Sequence, residues 1–160
     1  MKRTKVTLML LLMLCSSFIT DSPEQNYASI GRYYELECGI PTSIQLAQAM
    51  YESHYGKSEV GRASNNHFGI RAFATWGGSV YVTPKGTKYR AYKNVWDSWE
   101  DHANFLHLHY PAAIGKPWQH WVRYCRGYGG SPQYWQTIGQ IIQKYKLYKY
   151  DITNVKELYP

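Results

Sequence analysis

The sequence predicts an α+β fold, mainly α-helical, with one short β-hairpin. Helix start and stop signals recur from residue 22 onward, while a single stretch, Trp76 to Tyr92, alternates in the manner of paired strands around a Pro-Lys-Gly turn. The length of 160 residues, with 44% hydrophobic and 18% charged side chains, supports one core rather than two.

The first element is an address label. Lys2, Arg3 and Lys5 precede an apolar run from Val6 to Leu14, and Ser16 and Ser17 follow it. That order is the basic, apolar and polar succession of a signal peptide, and the run is far shorter than the ~20 residues of a membrane-spanning helix. Residues 1–20 are therefore expected to be removed, and residues 21–160 to form one exported domain in the periplasm, cell envelope or extracellular space. Cys15 closes the run as Leu-Met-Leu-Cys, like a lipoprotein processing site, although Leu14 is bulky for its position. A lipid there is the only membrane attachment foreseen. Cys38 and Cys125 remain, either paired as a disulfide in an oxidising compartment or kept as buried thiols.

Ser22-Pro23-Glu24-Gln25 reads as N-cap, N1 proline and capping-box Gln for a helix running to Glu37, with Gly39 as its stop. A second helix starts near Pro41-Thr42-Ser43, lays Ile44, Ala47, Met50 and Tyr51 on one side, and has Gly56 as its natural C′ residue. Val80, Tyr81 and Val82 alternate before Thr83-Pro84-Lys85-Gly86 turns the chain, and Lys88 to Tyr92 returns. Asn94 caps a helix holding Trp96, Trp99, Ala103 and Leu106, ending near Pro111. A further helix runs from about Pro117 to Arg126 and stops at Gly127. Ser131-Pro132 opens the last one, whose Ile138, Ile141, Ile142 and Tyr145 form an apolar stripe. The helical spacing of Trp96, Trp99, Trp118 and Trp121 assigns them to the core.

The formal charge of +7 falls to +4 once Lys2, Arg3 and Lys5 are gone, and no basic run follows. A nucleic-acid partner is thereby excluded. His102, His107 and His109 do not share one helical face, and no ligand spacing of a zinc motif occurs, so no metal and no cofactor is expected. Neither Cys38 nor Cys125 stands in a Cys-His setting that makes a nucleophile.

Among the 11 acidic residues, Glu52 stands apart. It falls on the second helix with Gln45, Gln48 and Tyr55 near one stripe, flanked by Met50 and Tyr51. A carboxyl among aromatic rings is partly desolvated, stays protonated toward neutral pH, and can hand that proton to a glycosidic oxygen.

Ala47 to Ser58 reads A-Q-A-M-Y-E-S-H-Y-G-K-S, and Asn65 to Arg71 reads N-N-H-F-G-I-R. Both segments closely resemble the signatures of bacterial peptidoglycan endo-β-N-acetylglucosaminidases, glycoside hydrolase family 73, of the flagellar-rod hydrolase and autolysin type. The resemblance continues through Tyr89-Arg90-Ala91-Tyr92, Asp97-Ser98-Trp99-Glu100-Asp101-His102, Gly127-Tyr128, Pro132 and Tyr134, from about Ile30 to Asp151. It implies a lysozyme-like helical domain acting on peptidoglycan glycan strands as a monomer. It makes Glu52 the general acid, matches Tyr128 to the family's active-site tyrosine with Tyr134 as a second candidate, and puts Asn66 and Phe68 on the loop flooring the groove. Gln48 and Trp76, the latter beside Gly77-Gly78, are further substrate-binding candidates.

One feature departs from the family. Members often carry a second Glu on the hairpin as base, yet Gly78 to Tyr92 contains no acidic residue. The 2-acetamido group of the substrate can attack the anomeric carbon itself, leaving Glu52 as the essential carboxyl. The rival explanations are that Asp97 or Glu59 swings in, or that the domain only binds glycans. A muramidase or lytic transglycosylase, which also needs one acid, is the neighbouring alternative.

Overall fold

The structure is a computed structural model that describes residues 22–152. The expected leader, residues 1–20, and Cys15 within it lie outside the described residues. In chain order the elements are α1 (Pro23–Cys38), α2 (Thr42–Ser53), α3 (Glu59–Ser64), β1 (Val80–Val82), β2 (Lys88–Arg90), α4 (Val95–His109), α5 (Trp118–Tyr124) and α6 (Tyr134–Lys144). Short 3-10 turns span Pro111–Ala113 and Leu147–Tyr150. The fold is mainly helical with one small antiparallel ribbon, in which Tyr81 opposes Tyr89. Arg71 bridges to Tyr89 and extends the ribbon by one residue.

The start of α1 follows its sequence signal, since the Ser22 N–H donates to Gln25 Oε1 at 3.0 Å and Gly39 closes the helix in the left-handed region. The centre of the molecule is α2, whose residues from Thr42 to Ala49 are all buried between α1, α6 and the turn Leu147–Tyr150. No side chain at Pro41 can satisfy the first N–H groups of so deep a helix. Two distant carboxylates do so instead: Glu35 accepts from Thr42 N at 3.0 Å and Thr42 Oγ1 at 2.7 Å, and Asp151 accepts from Ser43 N at 2.6 Å and Ser43 Oγ at 2.7 Å. Gly31 lets α1 approach, because a Cβ there would stand 2.9 Å from Thr42 Cγ2.

Several expectations need correction. Helix α2 ends at Ser53, not at Gly56, because His54 and Tyr55 already adopt positive φ (51° and 55°) before Gly56 at 77°. Helix α3, capped by Ser58 Oγ accepting from Gly61 N at 3.1 Å, has no counterpart in the sequence reading; at six residues it is too short to show periodicity. Trp99 and Trp121 are fully buried, but Trp96 is 44% exposed, packing edge-on against Tyr33 on the surface, and Trp118 is half-buried. Ile138 and Ile142 are fully buried, whereas Tyr145 lies beyond the end of α6 and is exposed. Helix α5 stops two residues short of Arg126, and α6 begins at Tyr134, with Ser131 Oγ accepting from Gln133 N. Cys38 and Cys125 are both free thiols: Cys38 sits near Glu37 and Glu100, Cys125 near Tyr110 and Arg126.

Candidate active site

Glu52 occupies the last turn of α2, and the abrupt left-handed stop after Ser53 frees its side chain from further helix. The loop 65–69 is fastened against this helix end. Ser53 Oγ donates to His67 O at 2.6 Å and accepts from Gly56 N at 2.8 Å, while the His67 N–H donates to Ser98 Oγ on α4 at 3.1 Å. A Cβ on Gly69, whose φ is 61°, would lie 3.8 Å from Glu52 Oε2, so the loop backbone borders the carboxyl directly. Glu52 Oε1 is sealed from solvent without a hydrogen-bond partner. Burial raises the carboxyl pKa above its ordinary value, and the nearby Tyr134 hydroxyl, which favours the ionised form, only partly offsets this. An unpartnered oxygen in a desolvated pocket is at ease as part of a neutral acid and costly as part of an anion.

The tyrosines come from the other end of the chain. Tyr128 is carried by a turn in which Gly127, Gly129 and Gly130 all have positive φ, and its ring packs 4.8 Å from Tyr134. His102 and Phe105 of α4 and Trp135 of α6 surround the same ring. Burial first, and then the Glu52 carboxylate, raise the Tyr128 phenol well above its ordinary value, so it works as a neutral hydroxyl. Tyr134 is 1% exposed, and its hydroxyl accepts from Gln48 Nε2 at 3.2 Å. The same hydroxyl lies near Glu52 and favours its ionised form. Gly129 leaves room for this arrangement, because a Cβ there would fall on the Tyr134 ring.

The structure thus brings Glu52, Gln48, Tyr128 and Tyr134 together. It treats the remaining candidates differently. Asn66 is fully buried, its amide donating to Ile70 O at 2.9 Å and Arg90 O at 2.8 Å while its Oδ1 accepts from Ile70 N. With both amide hydrogens committed it braces the loop to the hairpin and has none to offer a sugar. Phe68 is 2% exposed and stacks on His102 at 3.6 Å, so it supports the floor from beneath. Gln48, also fully buried, reaches the site only through Tyr134. Trp76 has one ring face under the Arg90 guanidinium at 4.4 Å and lines a separate hollow of about 370 Å³ with Tyr92, Asp97, Glu100, Asp101 and Asn104.

Sequence reasoning missed Ser53 and Ser98, the two hydroxyls that fasten the loop. A Ser in the last turn of a helix is a ready backbone partner, and that was the available signal. His102, not expected to hold a metal, is a buried neutral packing ring whose pKa burial lowers to about 3. No group of three or more metal-ligating side chains is found among the described residues. Of the other carboxylates near the hairpin, Asp101 is held by Arg90 and by Tyr92 Oη at 2.6 Å, and Glu59 accepts from Tyr81 Oη at 3.0 Å.

Residues 28–147 match the family model described as glucosaminidase, mannosyl-glycoprotein endo-beta-N-acetylglucosaminidase. The chain is 30% identical over 131 residues to the exo-glucosaminidase LytG of Bacillus subtilis, covering 70% of this chain and 46% of that protein. It therefore spans about half the length of the curated relative it matches. Among solved structures, the catalytic domain of the autolysin Auto from Listeria monocytogenes superposes with a TM-score of 0.68 at 20% identity, over 91% of this chain and 97% of that one, a likeness of fold. The glycoside hydrolase domain of FlgJ from Salmonella typhimurium superposes with a TM-score of 0.61 at 27% identity, over 75% and 84% of the two chains.

Proposed function

The chain belongs to the glucosaminidase family, and from that membership we propose that it is a peptidoglycan hydrolase cleaving the β-1,4 bond after N-acetylglucosamine. The observation that carries this reading is Glu52: a carboxyl with raised pKa, one oxygen unpartnered, at the end of a buried helix beside two neutral tyrosines. It acts as general acid, giving its proton to the leaving glycosidic oxygen as the bond to the anomeric carbon breaks. Tyr134 steadies the carboxylate that remains. The Tyr128 ring, packed on Tyr134, carries the second neutral hydroxyl of the site, which serves as a hydrogen-bond donor to the sugar.

The attack on the anomeric carbon comes from the substrate's own 2-acetamido oxygen. A second carboxylate at the ~5–5.5 Å spacing of a double-displacement pair would push Glu52 up by like-charge repulsion. Burial is the sole raising influence on Glu52, and Asp101 and Glu59 are engaged elsewhere. These facts support assistance by the substrate over recruitment of Asp97 or Glu59. The leader pattern supports export of a monomeric domain to the cell envelope. No helix among the described residues is long and apolar enough to cross a membrane.

Zymography on purified walls with the parent and a Glu52→Gln variant tests the proposal. Loss of clearing by ~10²-fold or more is the expected result; undiminished clearing refutes the assignment of the acid. Mass spectrometry of the released reducing ends should show N-acetylglucosamine, and equal rates on N-deacetylated glycan would refute the acetamido step.

A further inference from the structure

Between Val60 and Trp96 the sequence carries Arg62, Arg71, Lys85, Lys88, Arg90 and Lys93 and not one Asp or Glu. The rest of the described residues hold eight Lys or Arg against nine Asp or Glu, so the positive excess of the domain is concentrated in this one lobe. Arg90 is neutralised by Asp101, and Arg62 is tied to Lys57 O. Arg71, Lys85 and Lys88 are exposed, and with Phe73, 69% exposed, they line a hollow of about 340 Å³ beside the hairpin turn. The hollow is built on paired backbone: Ala72 N donates to Lys88 O at 3.1 Å, and Arg71 bridges to Tyr89.

Its position relative to the site follows from the chain. Arg71 is two residues from Gly69, at most ~7 Å along the backbone, and Gly69 borders the Glu52 carboxyl. A glycan seated at Glu52 therefore brings whatever hangs from its neighbouring sugars near these cations. The glycan itself is neutral. What peptidoglycan adds to a plain amino-sugar polymer is a short peptide stem with free carboxylates.

We propose that the hollow of Arg71, Lys85 and Lys88 is a stem-peptide subsite that holds those carboxylates, with the exposed Phe73 ring against the peptide's apolar part. It rests on the hydrolase reading for the choice of partner. Three cations lining one hollow act together on an anionic group seated in it, screened over ~8 Å at physiological salt. Each such exposed contact is individually small, and jointly they amount to roughly tenfold in affinity.

The test is a binding measurement, made in the Glu52→Gln background so that nothing is cut. Sedimentation with stem-bearing glycan strands is compared with sedimentation on particles of neutral N-acetylglucosamine polymer, which carries neither stems nor carboxylates. The triple variant R71Q/K85Q/K88Q should bind stem-bearing strands about tenfold more weakly with a flatter salt dependence, and the neutral polymer as the parent does. K85R/K88R, which keeps the charge, should bind both as the parent does. Equal loss on both polymers, no loss on either, or failure of the parent to bind stem-bearing strands overturns the subsite. So does charge-dependent binding to phosphatidylglycerol vesicles that exceeds binding to the strands, which would assign the surface to a membrane. A parent that binds stems in this pattern and yet clears no wall in zymography would refute the hydrolase reading alone.

Discussion

At the scale of single residues, the site depends on one phenolic hydroxyl. Gln48 donates to the Tyr134 oxygen, and the Tyr134 hydroxyl favours the ionised form of Glu52. Removing that donor leaves burial unopposed and raises the Glu52 pKa further. Tyr134→Phe is expected to move the alkaline limb of the pH-rate profile, where the acid loses its proton, upward by roughly 0.5–1 pH unit. Gln48→Met should move it in the same direction by less. A limb that stays in place in both variants would show that Tyr134 is only packing. Gln48 was legible in the sequence as a neighbour of Glu52 on one helix stripe, but not its partner, because Tyr134 lies 86 positions away.

At the scale of elements, the left-handed turn His54-Tyr55-Gly56 and the short α3 are one device. A Cβ on Gly61 would lie 2.5 Å from Gly56 O, a backbone atom that cannot step aside. Gly61→Ala should therefore cost about 1–3 kcal/mol by overpacking, read from chemical unfolding, and should lower activity through the loop that Ser53 fastens. A neutral effect on both would break the link between this turn and the site. The opposite end of α2 is held by Asp151, whose carboxyl burial pushes up to about 6 from 3.8 despite its bonds to Ser43. The folded state binds this proton more tightly than the unfolded one, so the stabilisation is full below about pH 4 and is lost as pH rises through about 6. Asp151→Asn keeps an acceptor for Ser43 and should remove that part of the pH dependence; an unchanged pH curve would refute the role given to Asp151.

At the scale of the whole molecule, two buried neutral histidines dominate acid behaviour. Burial lowers His67 to about 4 and His102 to about 3 from 6.5. The unfolded chain therefore takes up protons that the folded chain refuses, and stability falls as pH drops below about 6.5 and on through about 4 and 3. The raised carboxyls of Asp151 and Glu52 work the other way and offset part of this loss. Urea unfolding should show stability lower at pH 5 than at pH 7 by on the order of 2 kcal/mol, and equal midpoints at equal slopes would contradict the account. Both rings belong to the packing that joins the loop 65–69 to α4: His67 accepts from Trp99 Nε1 at 3.4 Å, and His102 stacks on Phe68. Acid loss of fold and loss of the Glu52 setting should coincide in one transition.

The sequence by itself determined the local matters: the capping box at Ser22, the Gly39 stop, the hairpin around Pro84, the helical stripe that holds Glu52, and the isolation of that carboxyl among few acids. Each of these is settled by residues within a turn or two of one another, which is the range of propensity and periodicity. Only the tertiary structure decided that Asn66 and Phe68 serve from below, that Trp96 is a surface ring, and that Glu35 and Asp151 hold the start of α2. It also decided that a tyrosine from α6 is hydrogen-bonded to Gln48 of α2 and lies beside Glu52. Burial and hydrogen-bond partnership are properties of packed neighbours, and packing joins positions that no local pattern connects.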